Sequence, residues 1–292
     1  MERYRYRKID AFATPHSLGN PAACLYLDDG QALPDETMLD IARRHKGFVS
    51  EVVYCARKDG GIHLTYYSSE CEVDFCGHGT IACMYALIAN DAALSAAARI
   101  PVRTRRKGDL VVYNEIPARD AVLVAAPAPA RLPPPADRRE VADSLGIREG
   151  AISPHDPLDA IDAGLRTLIV PIADLADEIS IFPDEACLKA FCLAREIDIV
   201  LIFSRAVANP AHIAHTRVFA PRFGYLEDPA TGSGNSAFGH YMLRNGIWDG
   251  TPCSIEQGGE DRVPNIVLLE MRGDALLFGG RAVTRIEGTY FA

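Results

Sequence analysis

With 292 residues, 48% of them hydrophobic and 24% charged, the chain has a globular make-up and room for one large domain or two ordinary ones. A net charge of −9 excludes nucleic acid or an anionic membrane as the principal partner, while leaving room for a local site that binds a small anion. The charged stretch from Met1 to Lys8 has no apolar signal core and no apolar run approaches a bilayer span, so a cytoplasmic location is expected.

In chain order, Lys8 to Ala13 is expected to be a strand, Gly19-Asn20-Pro21 a tight turn, and Ala22 to Leu27 the second strand of a hairpin. Pro34-Asp35-Glu36 opens a helix with Met38, Ile41, Ala42 and His45 on one face. Strands follow at Ser50 to Cys55 and Ile62 to Tyr67, and the turn Cys76-Gly77-His78-Gly79 leads into a helix from Thr80 to Ala89. That helix has no polar face, so it should be buried on all sides with a sheet wrapped around it. Strands at Leu110 to Ile116 and Ala121 to Ala126 precede Pro127 to Pro135, whose prolines read as a linker. After a helix at Arg138 to Leu145 the earlier order returns. A strand runs from Leu165 to Pro171, Pro183-Asp184-Glu185 opens a helix, strands run from Asp198 to Ser204 and His215 to Phe219, and a helix spans Ser236 to Leu243. Closing strands are expected at Ile266 to Leu269, Ala275 to Phe278 and Arg281 to Ile286.

The chain repeats itself. Glu72, Gly77, Gly79, Ala82 and Asn90 meet Glu227, Gly232, Gly234, Ala237 and Asn245 at one offset of 155 residues (72 to 227). Each copy is a Gly-x-Gly turn, a mostly apolar run of helical length, and an Asn suited to a C-terminal cap. Such turns leave backbone N–H groups free at a helix N-terminus, where an anion is favoured. Two of them facing each other would clasp a small carboxylate. The expectation is an α+β protein of two similar halves, each a mixed sheet around one central helix, with the active site in the cleft between them. The boundaries are residues 1–126 and 127–280, with a final strand at about 281–292 returning to the first half.

Glu51, His78, Asp228, Ser233 and Cys76 are the residues able to carry chemistry, because facing halves deliver acid and base groups to opposite sides of one ligand. Each has a plainer reading. Glu51 could be a solvated strand-end acid, Asp228 a cap or turn acid, His78 a turn residue bonded to a carbonyl, Ser233 a small turn residue, and Cys76 a buried thiol. The eight cysteines are expected to be mostly free. Cys71, Cys76 and His78 lack a fourth metal ligand at a familiar spacing, so no metal is expected. There is no Gly-x-Ser-x-Gly elbow or P-loop, and Gly77-His78-Gly79 lacks the third glycine of a dinucleotide site.

At these residues the sequence resembles the PhzF-like family, the phenazine-biosynthesis isomerase and its relatives, nearly from end to end. The resemblance is carried by Ile9-Asp10-Ala11-Phe12, Gly19-Asn20-Pro21, Ser50-Glu51-Val52-Val53-Tyr54, Phe75-Cys76-Gly77-His78-Gly79-Thr80, Arg217-Val218-Phe219-Ala220-Pro221 and Glu227 through Gly234. It implies a diaminopimelate-epimerase-like fold of two pseudo-symmetric halves, each a curved, mostly antiparallel sheet around a helix, assembled as a homodimer with no metal and no organic cofactor. It also implies a biosynthetic isomerisation of the trans-2,3-dihydro-3-hydroxyanthranilate type, in which a glutamate moves a proton between ring carbons. By motif that glutamate is Glu51, with His78, Asp228 and Ser233 positioning the substrate and tuning it. Asn20, Cys76, Gly77, Gly79, Gly232 and Gly234 would line the substrate.

Two departures bear on this resemblance. Family members often carry alanine where Gly79 and Gly234 stand, which leans towards the epimerase form. A two-thiol racemase, however, needs a cysteine from each turn, and Thr231 stands opposite Cys76 at the repeat offset. The rival expectations are therefore an amino-acid epimerase using Cys76 with a non-thiol partner, and a small-carboxylate binding protein without turnover.

Overall fold

Tyr4 and Tyr6 point inward and Arg3 and Arg5 outward in the first strand, which runs Arg3–Ala11 and so begins five residues before the expected start. Arginines at every second position hide this period-two pattern from a hydropathy reading. The computed structural model describes residues 2–28, 31–133, 136–258 and 263–292, and the chain divides into two units, Met1–Ala125 with Gly279–Ala292, and Ala126–Phe278.

In the first unit the strands pair in the order Ala282–Phe291, Arg3–Ala11, Asn20–Leu27, Glu51–Lys58, Gly61–Ser68, Arg99–Thr104, Gly108–Asn114 and Val122–Ala125. Two of these pairings are parallel, Asn20–Leu27 with Glu51–Lys58 and Gly61–Ser68 with Arg99–Thr104. A parallel step demands a crossover. The helix Asp35–Arg44 supplies the first and the helix Gly77–Ala89 the second. The crossover helix Gly77–Ala89 buries every residue except Gly77, Tyr85 and Ala89, and packs on strands Arg3–Ala11, Asn20–Leu27, Glu51–Lys58, Val122–Ala125 and Ala282–Phe291. A helix that is apolar all round is stable only when enclosed in this way.

The second unit repeats the scheme. Asp159–Asp162, Arg166–Pro171, Ile199–Ser204, His215–Phe219, Cys253–Gln257 and Asn265–Arg272 pair in that order, antiparallel and parallel in alternation. The same alternation runs from Arg3–Ala11 to Gly108–Asn114 in the first unit. Its second crossover passes through the helix Gly232–Arg244, packed on strands Asp159–Asp162, Arg166–Pro171, Ile199–Ser204 and Asn265–Arg272. Phe238 and Tyr241 of this helix meet Phe203, with ring centroids 4.6 and 5.4 Å away. The repeated Asn closes both helices alike. Asn90 Nδ2 donates to the Ala86 carbonyl at 2.7 Å and Asn245 Nδ2 to that of Tyr241 at 2.8 Å. Each unit is thus α+β, a curved, mostly antiparallel sheet around a central helix.

Several boundaries differ from expectation. Asn20 and Pro21 already belong to the strand Asn20–Leu27, and only Gly19, with φ 73°, turns the chain. Both central helices begin at the first glycine of their turn, Gly77 and Gly232, because Cys76 and Thr231 act as their extended N-cap residues. Ile116 starts a short helix, Ile116–Arg119, instead of ending a strand. The strand Arg99–Thr104, whose exposed positions are Arg99, Pro101 and Arg103, escaped a hydropathy reading for a similar reason. The proline-rich stretch from Pro127 is not simply a linker. Ala130–Leu132 falls between its prolines, keeps its N–H groups, and pairs with Asp159–Asp162 as an edge strand. Pro134 and Pro135 of that stretch lie outside the described residues.

Gly232 shows how tightly the second turn is packed. A Cβ there would lie 2.3 Å from Phe278 Cε2 and 2.7 Å from Cδ2. We predict that Gly232→Ala destabilises the protein by about 1–3 kcal/mol through overpacking, read as a Tm loss of several degrees by calorimetry. An unchanged Tm would mean that Phe278 moves aside freely.

Candidate active site

Glu51 is the first residue of its strand, opposite Ala22 on the parallel side and Ser68 on the antiparallel side, and is 8% exposed. The two ladders fix its backbone, so its carboxylate has a set direction. The head of the helix Gly77–Ala89 is fixed by the Cys76 cap, whose Sγ accepts from the Gly79 N–H at 3.3 Å. Thr80 Oγ1 donates to the Cys76 carbonyl at 2.7 Å and shares a 2.7 Å hydrogen bond with Tyr66. His78, in the first turn, then stands between two partners. Its Nε2 lies 3.2 Å from Glu51 Oε2, and its Nδ1 lies 3.5 Å from Cys76 Sγ. The Glu51 contact has the distance of an ion pair without the alignment of a directed hydrogen bond, and Oε2 has no other partner among the described residues.

The electrostatics separate these groups. Burial pulls the His78 pKa down, but the neighbouring Cys76 and Glu51 outweigh it, and the net shift is well upward. Burial pushes the Cys76 thiol up, and the opposing pull of His78 does not reverse this. Both shifts favour the protonated forms, a charged His78 ring and a neutral Cys76 thiol, at the head of one helix.

Gly79 has a steric reason. A Cβ would lie 2.8 Å from Val53 Cγ2 and 2.9 Å from Cys76 Sγ, so the capping thiol and an alanine at 79 compete for one space. Glu72, ahead of this turn, accepts from Arg105 Nε at 2.6 Å and Arg106 Nε at 2.8 Å. Burial works against its charge, but the two guanidiniums hold its carboxyl below the usual range.

The second unit shows the same plan with different groups. Glu227–Asp228 pairs with the strand His215–Phe219, and Arg217 grips it. Arg217 Nε and Nη2 each donate to Glu227 at 2.9 Å, while Nη1 donates to the carbonyls of Glu178, Ile179 and Ile181. Asp228 Oδ2 accepts from Thr231 Oγ1 at 2.7 Å. Gln257 donates to the Asp228 carbonyl and accepts from the Thr231 N–H and Asn235 Nδ2. Thr231, opposite Cys76 in the repeat, thus spends its hydroxyl on Asp228. Ser233 is half-buried in the first turn of its helix and makes no side-chain hydrogen bond among the described residues. Gly234 is close-packed, its would-be Cβ lying 3.2 Å from Thr231 Cγ2 and 3.3 Å from Ile199 Cδ1.

Of the residues singled out in the sequence, Glu51, Cys76 and His78 stand together in the first unit, and Asn20, fully buried, begins the strand that flanks Glu51. Asp228, Gly232, Ser233 and Gly234 stand together at the second turn. Sequence reasoning missed Gln257 and Asn235, which carry no motif, and gave Arg217 no role. One oxygen, one sulfur and one nitrogen of Glu51, Cys76 and His78 lie within 4.8 Å of one another, close enough to hold a metal ion. Cys71, considered as a ligand from its spacing, is exposed and belongs to a separate turn with Ser68.

Known proteins resemble this chain in sequence and in fold. The profile of the family described as phenazine biosynthesis-like protein matches residues 9–288. The chain is 27% identical over 291 residues to the uncharacterized isomerase YfhB of Bacillus subtilis, covering 99% of this chain and 96% of that protein. It is 26% identical over 289 residues to the trans-2,3-dihydro-3-hydroxyanthranilate isomerase of Pseudomonas fluorescens, covering 97% and 94%. The crystal structure of a PhzF-family phenazine biosynthesis protein from Bacillus anthracis superimposes with a TM-score of 0.86 over 100% of both chains at 23% identity, a likeness of fold. The protein described here belongs to the phenazine biosynthesis-like (PhzC-PhzF) family of isomerases.

Proposed function

We propose that the protein is a cofactor-independent isomerase that moves a proton between carbons of a small amino- or hydroxy-carboxylate, with Glu51 as the base. One observation carries this reading. A buried carboxylate, held by two strand ladders at the head of a central helix, has the His78 ring against its Oε2, which has no other polar partner among the described residues. Glu51 takes a proton from one substrate carbon and returns it to another, and the His78 imidazolium stabilises the negative charge that develops on the substrate in between. The N–H groups at the heads of the two central helices suit a carboxylate. The proposal also assigns Asp228 and Ser233 to binding the substrate's polar groups, and Asn20, Cys76, Gly77, Gly79, Gly232 and Gly234 to lining it. The candidate substrate is trans-2,3-dihydro-3-hydroxyanthranilate, on which the Pseudomonas fluorescens relative acts by name. A homodimer in the cytoplasm, serving a biosynthetic route, belongs to the same proposal, and light scattering checks the dimer.

A second reading, a Cys76-based epimerase, has the contact of Cys76 with His78 in its favour. Burial raises the thiol pKa, and the residue that matches Cys76 in the repeat is Thr231, whose hydroxyl is engaged by Asp228, so the repeat supplies no second thiol. Cys76→Ser separates the two. We expect it to retain turnover within about 10-fold, since the serine oxygen still caps the helix. Loss of activity by about 1,000-fold or more would instead point to thiol chemistry.

A further inference from the structure

We propose that Gln257 is a positioning residue, which through Thr231 holds the Asp228 carboxylate as a fixed acceptor for an ammonium or hydroxyl group of the substrate. The chain from Asp228 to Thr231 joins the short strand Glu227–Asp228 to the helix Gly232–Arg244, and Pro229 within it has no N–H. Side chains from two strands meet the backbone groups of this turn. Gln257 and Asn265 are cross-strand partners in the strands Cys253–Gln257 and Asn265–Arg272. Gln257 Nε2 donates to the Asp228 carbonyl at 2.9 Å, and Asn265 Nδ2 donates to the Pro229 carbonyl at 2.8 Å.

The neighbours of the Gln257 amide fix which way it points. The Thr231 N–H can only donate, so the atom 2.9 Å from it is the amide oxygen. The Asp228 carbonyl can only accept, so the atom facing it is the nitrogen. Asn235 is ordered in the same sense, its Nδ2 donating to the Thr231 carbonyl at 2.9 Å and to Gln257 Oε1 at 2.7 Å. Gln257 Nε2 keeps its second hydrogen for Thr231 Oγ1, 3.3 Å away. The hydroxyl accepts there and sends its one proton to Asp228 Oδ2 at 2.7 Å. The relay therefore runs one way, from the fully buried Gln257 to Thr231 to Asp228. A hydrogen bond donated to a carboxylate favours its ionised form, and an ionised Asp228 can only accept, so the group it meets has to be a donor. The corresponding strand of the first unit, Arg99–Thr104, carries no amide side chain, and Cys76 spends its sulfur on capping its own helix, which Thr231 does not do. The contact with the donor rests on the isomerase reading above, in which Asp228 meets the substrate. The relay itself does not.

The test is a carbon-13 NMR titration of the Asp228 carboxyl, assigned by its loss in Asp228→Asn. The acid dissociation constant is expected to fall about 10-fold in Thr231→Val, which keeps the shape without the hydroxyl, and in Gln257→Met, as for loss of a hydrogen bond to a charged group. Thr231→Ser should titrate as wild type does. Glu227, the residue before Asp228, is paired with Arg217, and none of these variants touches that pair. A lower Tm with an unmoved Asp228 titration would leave Gln257 a structural role only and overturn the proposal. In the wild type both Gln257 amide hydrogens should exchange slowly in D2O, and exchange at the solvent rate would overturn the relay even if Gln257→Met does not fold. With trans-2,3-dihydro-3-hydroxyanthranilate, both variants should raise KM about 10-fold and move kcat far less, the mark of lost binding in place of lost chemistry. An unmoved KM beside a shifted titration would keep the relay and overturn the contact between Asp228 and the substrate.

Discussion

Replacing Glu51 with glutamine is expected to lower kcat by about 1,000-fold, in the middle of the range for loss of a positioned base, while the protein stays folded. Glutamine has the same shape, so the strand ladders to Ala22 and Ser68 persist, but its amide cannot accept a proton from carbon at neutral pH. The variant also removes the negative partner of a buried imidazolium. The His78 pKa should then fall towards the value that burial alone sets, a shift that NMR of the ring protons can follow. A circular-dichroism melt close to that of wild type, together with the lost turnover, separates chemistry from folding. Turnover undiminished in Glu51→Gln would remove Glu51 as the base.

Arg217→Ala is expected to be among the most destabilising single changes in the second unit, at about 3–5 kcal/mol, because it removes one partner of a buried ion pair. Arg217 is 3% exposed, and its guanidinium satisfies Glu227 with two hydrogen bonds and three backbone carbonyls with a third nitrogen. Its loss strands a half-buried carboxylate beside Asp228 and frees the carbonyls of Glu178, Ile179 and Ile181 at the end of the helix Leu175–Ser180. A fall in Tm of roughly 6–20 °C follows for a unit of this size. Arg217→Lys should recover only part of it, since an ammonium cannot grip a carboxylate by two parallel bonds while serving carbonyls on its far side. A Tm within 2 °C of wild type, on the order of a neutral surface change, would show that the grip is dispensable.

Much of the plan is legible in the sequence because it rests on residues whose chemistry is local. The Gly-x-Gly turns, the apolar helical runs and the closing asparagines at one offset describe two copies of a crossover helix, and the strand pairings of the two units alternate in the same order. The strands Arg3–Ala11 and Arg99–Thr104 were obscure because arginines, and in the second strand Pro101 as well, occupy their exposed positions. The edge strand Ala130–Leu132 was obscured by the prolines around it.

At the site, the meeting of Glu51 and His78 follows from neither motif by itself. It needs the parallel crossover that brings residue 51 beside the head of a helix starting at residue 77. Gln257 lay beyond reach for a related reason. It acts from the end of a strand far along the chain, and only the folded sheet brings its amide to Thr231 and Asp228. Thr231 was legible as a departure from the two-thiol pattern, and its hydrogen bond to Asp228 gives the residue a use of its own.

The central claim is proton transfer at carbon, and the most direct measurement is proton NMR of the enzyme with trans-2,3-dihydro-3-hydroxyanthranilate in D2O, beside the Glu51→Gln variant. The account predicts loss of a ring-proton signal, growth of product signals and deuterium at the carbon that receives the proton, with none of these in the variant. An unchanged substrate spectrum with wild type would contradict the assignment of this substrate. Product formed equally fast by the variant would contradict the role of Glu51.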